Sequence, residues 1–199
     1  MKPIIVDTTP VHGSHAQIKK FSDLNLTACK AYAGIGSRET PADVMMLMTR
    51  VATKLEQSNI ILRSGGADGA DTAFANGVVY PTNKRIYLPW VGFNNAAGVY
   101  MGSMMEDAAQ IAKQYHPRWS SLSRGAKALI TRNTFQILGD DLKTPADFII
   151  CWTKDGKASG GTGQGLRIAK DYEIPIFNLQ KENHFLQLTN FVEGATLNL

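Results

Sequence analysis

Residues 62–71 are Leu62-Arg63-Ser64-Gly65-Gly66-Ala67-Asp68-Gly69-Ala70-Asp71. The largely apolar residues 59–63 predict a β-strand, and residues 72–79 predict a helix. Glycine permits a sharp turn and a close approach of the backbone to a neighbour, so the segment between them suits a tight strand-to-helix loop. A strand, a glycine-rich turn and a helix in this order indicate one unit of a parallel α/β sheet.

The same alternation of strands and helices extends along the chain. Strands are predicted at residues 30–35, 59–63, 85–88, 147–152 and 175–179, and helices at 72–79, 103–114, 121–138 and 163–171. A further helix begins with Thr40 as its N-cap and Pro41 in its first turn. Its apolar face is formed by Val44, Leu47, Met48, Val51 and Leu55. We predict an α/β, Rossmann-like, doubly wound and mostly parallel sheet with helices on both faces.

The composition is that of a folded protein of ordinary size. The 199 residues are 44% hydrophobic and 19% charged, with a formal net charge of +4. We predict a single domain over residues 1–199, in which residues 1–29 form a peripheral segment with a short strand at 3–6. The sequence has no signal-peptide pattern and no apolar run of about 20 residues, which predicts a cytoplasmic protein. Cys29 and Cys151 are predicted to be buried, reduced thiols.

Three predicted strand-to-helix loops are rich in glycine: residues 34–41, 64–71 and 159–165. The carboxyl ends of parallel strands lie at one edge of the sheet, where ligands of such folds bind. The helix after each loop offers free N–H groups and a partial positive charge, which together suit a phosphate. We expect Gly36, Gly66 and Gly161 to line a common pocket. The alternative is that each glycine only makes a turn.

Two common nucleotide-binding motifs are absent from the sequence. Glu39 occupies the third glycine position of G-x-G-x-x-G after the first long strand, and no G-x-x-x-x-G-K-[ST] occurs. Binding of NAD through the usual motif and hydrolysis of ATP at a P-loop are therefore disfavoured. His116 has no partner at a metal-ligand spacing, so we predict no metal and no other cofactor.

Polar side chains in these loops are candidates for ligand contacts. Arg38 is expected to grip a phosphate or carboxylate through two hydrogen bonds, and Ser64 and Thr162 to donate hydroxyls to a phosphate. Asp68 is expected to cap the following helix or to bind a ribose hydroxyl. The predicted phosphate- and nucleotide-binding residues are Gly34, Gly36, Ser37, Arg38, Ser64, Gly65, Gly66, Ala67, Asp68, Gly160, Gly161, Thr162 and Gly163.

Additional contacts are expected from residues outside the three loops. Trp90 and Trp119 offer rings for stacking on a base. Four polar residues on one predicted helix extend toward the ligand, namely Arg124, Lys127, Arg132 and Asn133. The alternative is that the cations lie on a solvated helix face and that the aromatic rings belong to the core.

Three of these segments, residues 33–38, 62–71 and 160–163, resemble the SLOG superfamily. That group includes DNA-processing proteins of the DprA/Smf type, LOG cytokinin-activating phosphoribohydrolases and nucleotide-sensing domains. The likeness is greatest to small, phage-encoded DprA-like proteins and covers roughly residues 32–179. It implies a Rossmann-like fold and a nucleotide or single-stranded DNA as the ligand near these loops.

The sequence departs from the LOG pattern P-G-G-x-G-T-x-x-E in its last loop. Gly160, Gly161 and Gly163 match the pattern, but Gln164 stands in the Thr position and Arg167 in the Glu position. The resemblance therefore carries no catalytic acid onto this chain. DprA-type proteins also bind DNA through basic residues around the pocket and through additional domains, and no additional domain is evident here.

Three functional hypotheses follow, and whether the protein is an enzyme stays open. The first is a protein that binds, and thereby senses or sequesters, a nucleotide or nucleotide-derived signal. The second is a DprA-like, single-stranded-DNA-binding recombination mediator. The third is a nucleotide phosphoribohydrolase that draws its acid from Glu39, Asp68, Asp71 or Glu106. A homo-oligomer is also expected, since the Met-rich residues 101–105 suit an adaptable contact between subunits.

Overall fold

The computed structural model describes residues 19–194. Its β-strands are β1 (Ala31–Gly36), β2 (Ile61–Ser64), β3 (Lys84–Ile86), β4 (Phe148–Trp152) and β5 (Ile176–Asn178). Its α-helices are α1 (Ala42–Gln57), α2 (Ala70–Asn76), α3 (Met105–Tyr115), α4 (Arg124–Leu138), α5 (Thr162–Asp171) and α6 (Glu182–Glu193). The strand predicted at residues 3–6 lies outside the described residues.

The five strands form one sheet in the order β3-β2-β1-β4-β5, and every pairing is parallel. The central strand β1 pairs with β4 from Tyr32 opposite Phe148 to Gly36 opposite Trp152. The chain proceeds from β1 outward to β2 and β3, and then returns to the other side of β1 for β4 and β5. The winding therefore reverses between β1 and β4, which confirms the predicted doubly wound fold.

Helices cover both faces because successive residues of the central strands point to opposite sides and are apolar on each side. On one face, Tyr32 and Phe148 belong to the core that also contains residues of α1, α2 and α6. On the other face, Ala33 and Ile149 belong to a core with residues of α3, α4 and α5. All four side chains are fully buried, so the sheet is the middle layer of three.

The first helix begins one residue later than its sequence predicts. Its N-cap is Pro41, and no side chain caps it. The Thr40 hydroxyl instead donates to the carbonyl oxygen of Ser37 at 2.7 Å. The prediction of Thr40 as the N-cap is therefore wrong, because its hydroxyl closes the preceding turn.

The start of α2 also differs from the prediction. The helix begins two residues earlier than expected, behind Gly69 with a φ of 79°, and no side chain caps it. The carboxylate of Asp68 accepts a hydrogen bond from Asn94 Nδ2 at 3.4 Å instead. The prediction that Asp68 caps this helix is wrong, because the side chain bonds across to the segment after β3.

The sequence places α4 well but misses α6 altogether. The Ser123 side chain caps α4 by accepting a hydrogen bond from the Ala126 amide at 3.2 Å. Helix α6 packs against α1 and the short 3-10 helix Phe21–Asp23. Its Leu188 is fully buried in the same core as Tyr32.

Phe21 brings part of the N-terminal segment into this core. Its side chain is 3% exposed and its ring meets those of Phe148 and Phe177 edge-on, with centroids 5.7 and 5.1 Å away. Residues 19–29 therefore contribute to packing as well as preceding β1. Within residues 19–194, no helix is long and apolar enough to cross a membrane.

The two thiols and the Met-rich segment have different surroundings. Cys151 is buried in β4, whereas Cys29 is only half-buried. Burial is the main cause that raises the pKa of Cys29 to about 11 and that of Cys151 to about 12, so both stay protonated at neutral pH. The methionines of residues 101–105 pack, half-buried, against the core on the α3–α4–α5 side, and their role in a subunit contact stays a prediction.

Candidate functional site

A pocket of about 550 Å³ opens at the carboxyl edge of the sheet, where the winding reverses between β1 and β4. Open α/β sheets bind their ligands at this place. The pocket is built by the end of β1 and the loop after it, the loop after β2, the middle of α4 and the loop from β4 to α5. Its lining residues are Ile35, Gly36, Ser37, Arg38, Glu39, Ala67, Asp71, Leu129, Ile130, Arg132, Asn133, Gln136, Thr153, Lys154, Ser159, Gly160, Gly161 and Thr162.

The amino terminus of α5 forms one wall of the pocket. Among the hydrogen bonds of residues 19–194, none uses the backbone N–H groups of Gly160, Gly161 or Thr162. Gly160 has a φ of 59°, which turns the loop into the helix. A Cβ atom at Gly160 or Gly161 would meet no other atom within 4 Å. The wall therefore offers unpartnered donors, open space and the positive end of the helix dipole.

Helix α4 connects this wall to the loop after β2 through a chain of side-chain amides. Asn133 Nδ2 donates to the Gly161 carbonyl oxygen at 2.9 Å. With the Gln136 amide oriented to satisfy its neighbours, its nitrogen donates to Asn133 Oδ1 and its oxygen accepts from the Gly65 N–H, both at 3.0 Å. The two loops thus hold fixed positions relative to one another.

The loop after β1 forms the opposite wall. The Ser37 N–H donates to the Trp152 carbonyl at 3.2 Å, and its own carbonyl accepts from the Ala70 N–H at 3.3 Å. Gly36 permits this close approach, because a Cβ atom there would lie 2.6 Å from the Cβ of Ala70. The loop is therefore anchored to both β4 and α2, and it presents exposed Arg38 beside the pocket.

Three cations and two carboxylates line the pocket: Arg38, Arg132 and Lys154 against Glu39 and Asp71. Lys154 Nζ lies 3.3 Å from Glu39 Oε2, and both side chains are largely exposed. Arg132 Nη1 lies 2.9 Å from Asp71 Oδ2, with 5% and 6% of the two side chains exposed. Burial raises the pKa of Asp71, and the charge of Arg132 opposes this effect. Positive charge is in excess, which favours an anionic ligand.

Nine of the sequence-predicted site residues line this pocket, and the others lie elsewhere. Those brought together are Gly36, Ser37, Arg38, Ala67, Gly160, Gly161, Thr162, Arg132 and Asn133. The expectation of a common pocket holds for Gly36 and Gly161, whereas Gly66 is not among the lining residues.

Gly34 and Ser64 are structural and face the interior. A Cβ atom at Gly34 would lie 2.6 Å from Phe74 Cγ, so the glycine makes room for that ring. The buried Ser64 hydroxyl donates to the Gly34 carbonyl at 2.7 Å. The prediction of Ser64 as a phosphate donor is therefore wrong, because its hydroxyl bridges the two adjacent strands.

The glycines of the loop after β2 make room for protein atoms. A Cβ atom at Gly65 would lie 1.0 Å from Arg132 Nη1, and one at Gly66 would lie 3.0 Å from Ala96 Cβ. Gly66 therefore faces the segment after β3, where Asn94 Nδ2 also donates to its carbonyl oxygen. The prediction that Gly66 lines the common pocket is wrong, and Ala67 and Asp71 line it from this loop.

Gly163, Trp90, Arg124 and Lys127 also lie outside the pocket lining. A Cβ atom at Gly163 would lie 2.5 Å from the Ala158 carbonyl oxygen. Trp90 packs edge-on against Phe93, but its residue is 42% exposed, so it belongs neither to the pocket lining nor to the buried core. Arg124 and Lys127 belong to the first turns of α4, ahead of its pocket-lining residues, and Lys127 Nζ lies 5.8 Å from the ring centroid of Trp119.

The residues at the Thr and Glu positions of the LOG pattern have structural partners here. Gln164 is buried and donates to Thr134 Oγ1 at 3.1 Å. Arg167 donates to the carbonyl oxygens of Tyr115 and Ala158. Of the four acids considered, Asp68 and Glu106 lie outside the pocket lining.

Nine lining residues are absent from the predicted binding residues. Glu39 and Asp71 were considered only as catalytic acids, Ser159 only as part of its loop, and the other six not at all: Ile35, Leu129, Ile130, Gln136, Thr153 and Lys154. Part of the signal was present in the sequence. Residues 129, 132, 133 and 136 follow the i, i+3, i+4, i+7 pattern of one helix face. Thr153 and Lys154 directly follow β4, at the strand end where ligands bind.

No protein-family model and no curated protein matches the chain. Among solved structures, the chain is similar to DNA processing protein A from Helicobacter pylori, whose structure is described in terms of a unique single-stranded DNA binding mode. The identity is 14%, the match covers 86% of this chain and 83% of that chain, and the TM-score is 0.47. At these values the likeness assigns no function to this chain.

Proposed function

We propose that the pocket binds a phosphorylated nucleotide, with a phosphate at the amino terminus of α5. The observation that supports this most directly is that Gly160, Gly161 and Thr162 line the pocket and that none of their N–H groups has a hydrogen-bond partner within residues 19–194. Helix amino termini bind anions because their free N–H groups and the helix dipole point at the ligand. Thr162 adds a hydroxyl beside the same amides.

The charged side chains support the same ligand. Arg38 reaches the pocket from the loop after β1, and Lys154 follows β4. Both carboxylates of the lining are held by cations, Glu39 by Lys154 and Asp71 by Arg132. A phosphate therefore meets donors rather than a free carboxylate, an arrangement that favours binding over acid catalysis and agrees with a sensing or sequestering role.

The rest of the pocket suits a nucleoside. Its volume of about 550 Å³ lies within the range of roughly 300–1,000 Å³ that is typical of small-molecule sites. Ile35, Leu129 and Ile130 supply apolar surface for a base, and Asn133 and Gln136 supply amides beside it.

A ligand screen tests the proposal. Thermal unfolding is followed with nucleoside mono-, di- and triphosphates, cyclic nucleotides and the matching nucleosides without phosphate. A ligand at 100 times its dissociation constant adds about 2.7 kcal/mol to the free energy of unfolding. Stabilisation by at least one phosphorylated nucleotide, and none by its nucleoside, supports the proposal. No stabilisation by any phosphorylated compound contradicts it.

Single-stranded DNA is the second candidate ligand, supported by the surface that continues from the pocket along α4. Arg118 and Arg124 are exposed there, and Lys127 lies over the half-buried ring of Trp119. Cations beside an aromatic ring are the combination that binds a single strand through its phosphates and stacked bases. In this case the pocket holds one nucleotide of a longer chain.

Salt dependence distinguishes the two candidates. The binding of labelled oligodeoxythymidine is measured by fluorescence anisotropy at several salt concentrations. Each phosphate contact on a single strand contributes about −0.7 to the slope of the logarithm of the binding constant against the logarithm of the salt concentration. A slope steeper than about −2, reduced by Lys127→Ala, supports DNA binding. If the oligodeoxythymidine does not bind even at low salt while a free nucleotide does, the free nucleotide is the ligand and single-stranded DNA is excluded.

A further inference from the structure

Arg132 is the most constrained cation of the pocket. Its side chain is 5% exposed, although its residue lines the pocket. Nη1 donates to Asp71 at 2.9 Å and to the oxygen of Gln136 at 3.1 Å. Nε is buried and has no hydrogen-bond partner within residues 19–194. The two Nη1 contacts hold the guanidinium in place, although the buried Nε donor without a partner carries a cost in stability.

Gly65 and Asp71 together create the position that the guanidinium occupies. The place of a Cβ atom on Gly65 is 1.0 Å from Nη1 and 2.6 Å from Asp71 Oδ2. Any other residue at position 65 would expel the arginine. Asp71 Oδ2 also accepts a hydrogen bond from the Ala67 N–H at 3.3 Å, so the carboxylate that orients Arg132 is itself fixed to the loop after β2.

We propose that Asp71 is a positioning residue, which orients Arg132 beside the phosphate of the bound ligand. This inference rests on the proposed function. Gly65 and Asp71 then act on the ligand indirectly, through Arg132, which lies 61 residues after Asp71 in the chain. Arg132 lines the pocket, and the next residue, Asn133, is bonded to the Gly161 carbonyl of the loop before α5.

The test is a double-mutant cycle with inorganic phosphate as the probe, titrated by NMR into the full-length protein. Asp71→Asn retains an acceptor for Nη1 but removes the charge. Arg132→Gln is expected to weaken phosphate binding about tenfold because it removes a charged hydrogen-bonding partner of the phosphate. Asp71→Asn is expected to have an effect of the same size because it removes the charge that orients this partner. In the Arg132→Gln background, Asp71→Asn has no further effect, since there is no guanidinium left to orient.

The Nε–H resonance of Arg132 gives a readout that needs no ligand. It is expected to be sharp and dispersed in the wild type and averaged in Asp71→Asn. Gly65→Ala displaces the guanidinium without changing any charge, so the Arg132 resonance is expected to be averaged in this variant too. The control is Gly125→Ala, because a Cβ atom at Gly125 would meet no other atom within 4 Å. Circular dichroism establishes that each variant is folded at the temperature of titration.

The outcomes separate this inference from the function on which it rests. If Asp71→Asn weakens phosphate binding equally in both backgrounds, or leaves the affinity for phosphate unchanged whether or not the Arg132 resonance changes, the positioning role is overturned while the nucleotide site stands. If phosphate and nucleotides shift no amide of Gly160 or Gly161 in the wild type, the proposed function fails, and the positioning role falls with it.

Discussion

The side-chain amide of Asn133 donates a hydrogen bond across 2.9 Å to the carbonyl oxygen of Gly161. This bond attaches the loop before α5 to the neighbouring helix α4 through a carbonyl oxygen, and the N–H groups of Gly160 and Gly161 in that loop have no hydrogen-bond partner within residues 19–194. The contact joins residues 28 positions apart in the chain, and it makes α4 part of the wall at which we propose that a phosphate binds.

Asn133→Ala is expected to weaken nucleotide binding by roughly 0.5–1.5 kcal/mol, the usual contribution of one neutral hydrogen bond. The loop becomes less ordered before the ligand arrives, so more conformational entropy is lost on binding. Isothermal titration calorimetry measures the change, with Asn76→Ala on the exposed end of α2 as the matched control. Equal affinities for the wild type and Asn133→Ala would show that the contact does not support the site.

Arg38→Ala is expected to weaken binding by roughly 1.5–3 kcal/mol, the value for a hydrogen bond to a charged group. The side chain reaches the pocket from an exposed loop, so its removal leaves the core intact. Arg50→Ala, on an exposed position of α1, removes the same charge away from the pocket. The same loss of affinity in both variants would mean that Arg38 acts only through net charge.

Gly66→Val is expected to destabilise the fold. The glycine has a φ of 66°, and its missing Cβ faces Ala96 at 3.0 Å and Ile86 at 3.2 Å, so a branched side chain adds backbone strain and overpacking of about 1–3 kcal/mol each. Gly92→Val is the control, because Gly92 has a φ of 79° but open space around it. Urea unfolding measures both. Equal losses in the free energy of unfolding for Gly66→Val and Gly92→Val would show that overpacking against Ala96 and Ile86 does not contribute.

Asp140 forms an exposed ion pair with Arg85. Asp140→Asn is expected to lower the free energy of unfolding by about 0.5–1 kcal/mol at neutral pH, as is usual for such a pair. Burial tends to raise the pKa of Asp140, but hydrogen bonds from Arg85 and Tyr87 outweigh it and hold this pKa below its ordinary value. The ionised carboxylate of Asp140 therefore contributes its full share of the free energy of unfolding above the ordinary pKa near 4. This contribution is lost as the pH falls through the lowered native pKa.

Urea unfolding of the wild type and Asp140→Asn at pH 7 and at successively lower pH measures this dependence. The difference in free energy of unfolding should shrink as the pH falls below about 4. A difference that stays constant down to pH 2 would show that the charge of Asp140 does not contribute.

The fold could be predicted from the sequence because the central strands are apolar on both faces, a local pattern that few other arrangements accommodate. Helix α6 was missed although Phe185, Leu188 and Phe191 have helical spacing. Its core face packs against Phe21, α1 and β5, and contacts with parts of the chain as distant as Phe21 and α1 do not appear in a local pattern.

The site could be predicted only in part, because the same glycine-rich composition serves different purposes. Gly161 leaves open space at the pocket, whereas Gly34 and Gly65 make room for Phe74 and Arg132. Sequence alone cannot tell which atoms approach a glycine. For the same reason Ser64 and Thr162 appeared equivalent, although one hydroxyl bridges two strands and the other residue lines the pocket.

The central claim is tested most directly by titrating the best ligand of the nucleotide screen into Gly161→Val and Gly125→Val. Both glycines have open space where a Cβ atom would lie and neither has a positive φ, so both variants are expected to fold. The new side chain at position 161 occupies the space in front of the free N–H groups, whereas that at position 125 lies outside the pocket lining. The account predicts loss of detectable binding in Gly161→Val and unchanged affinity in Gly125→Val. Wild-type affinity in a folded Gly161→Val would contradict it.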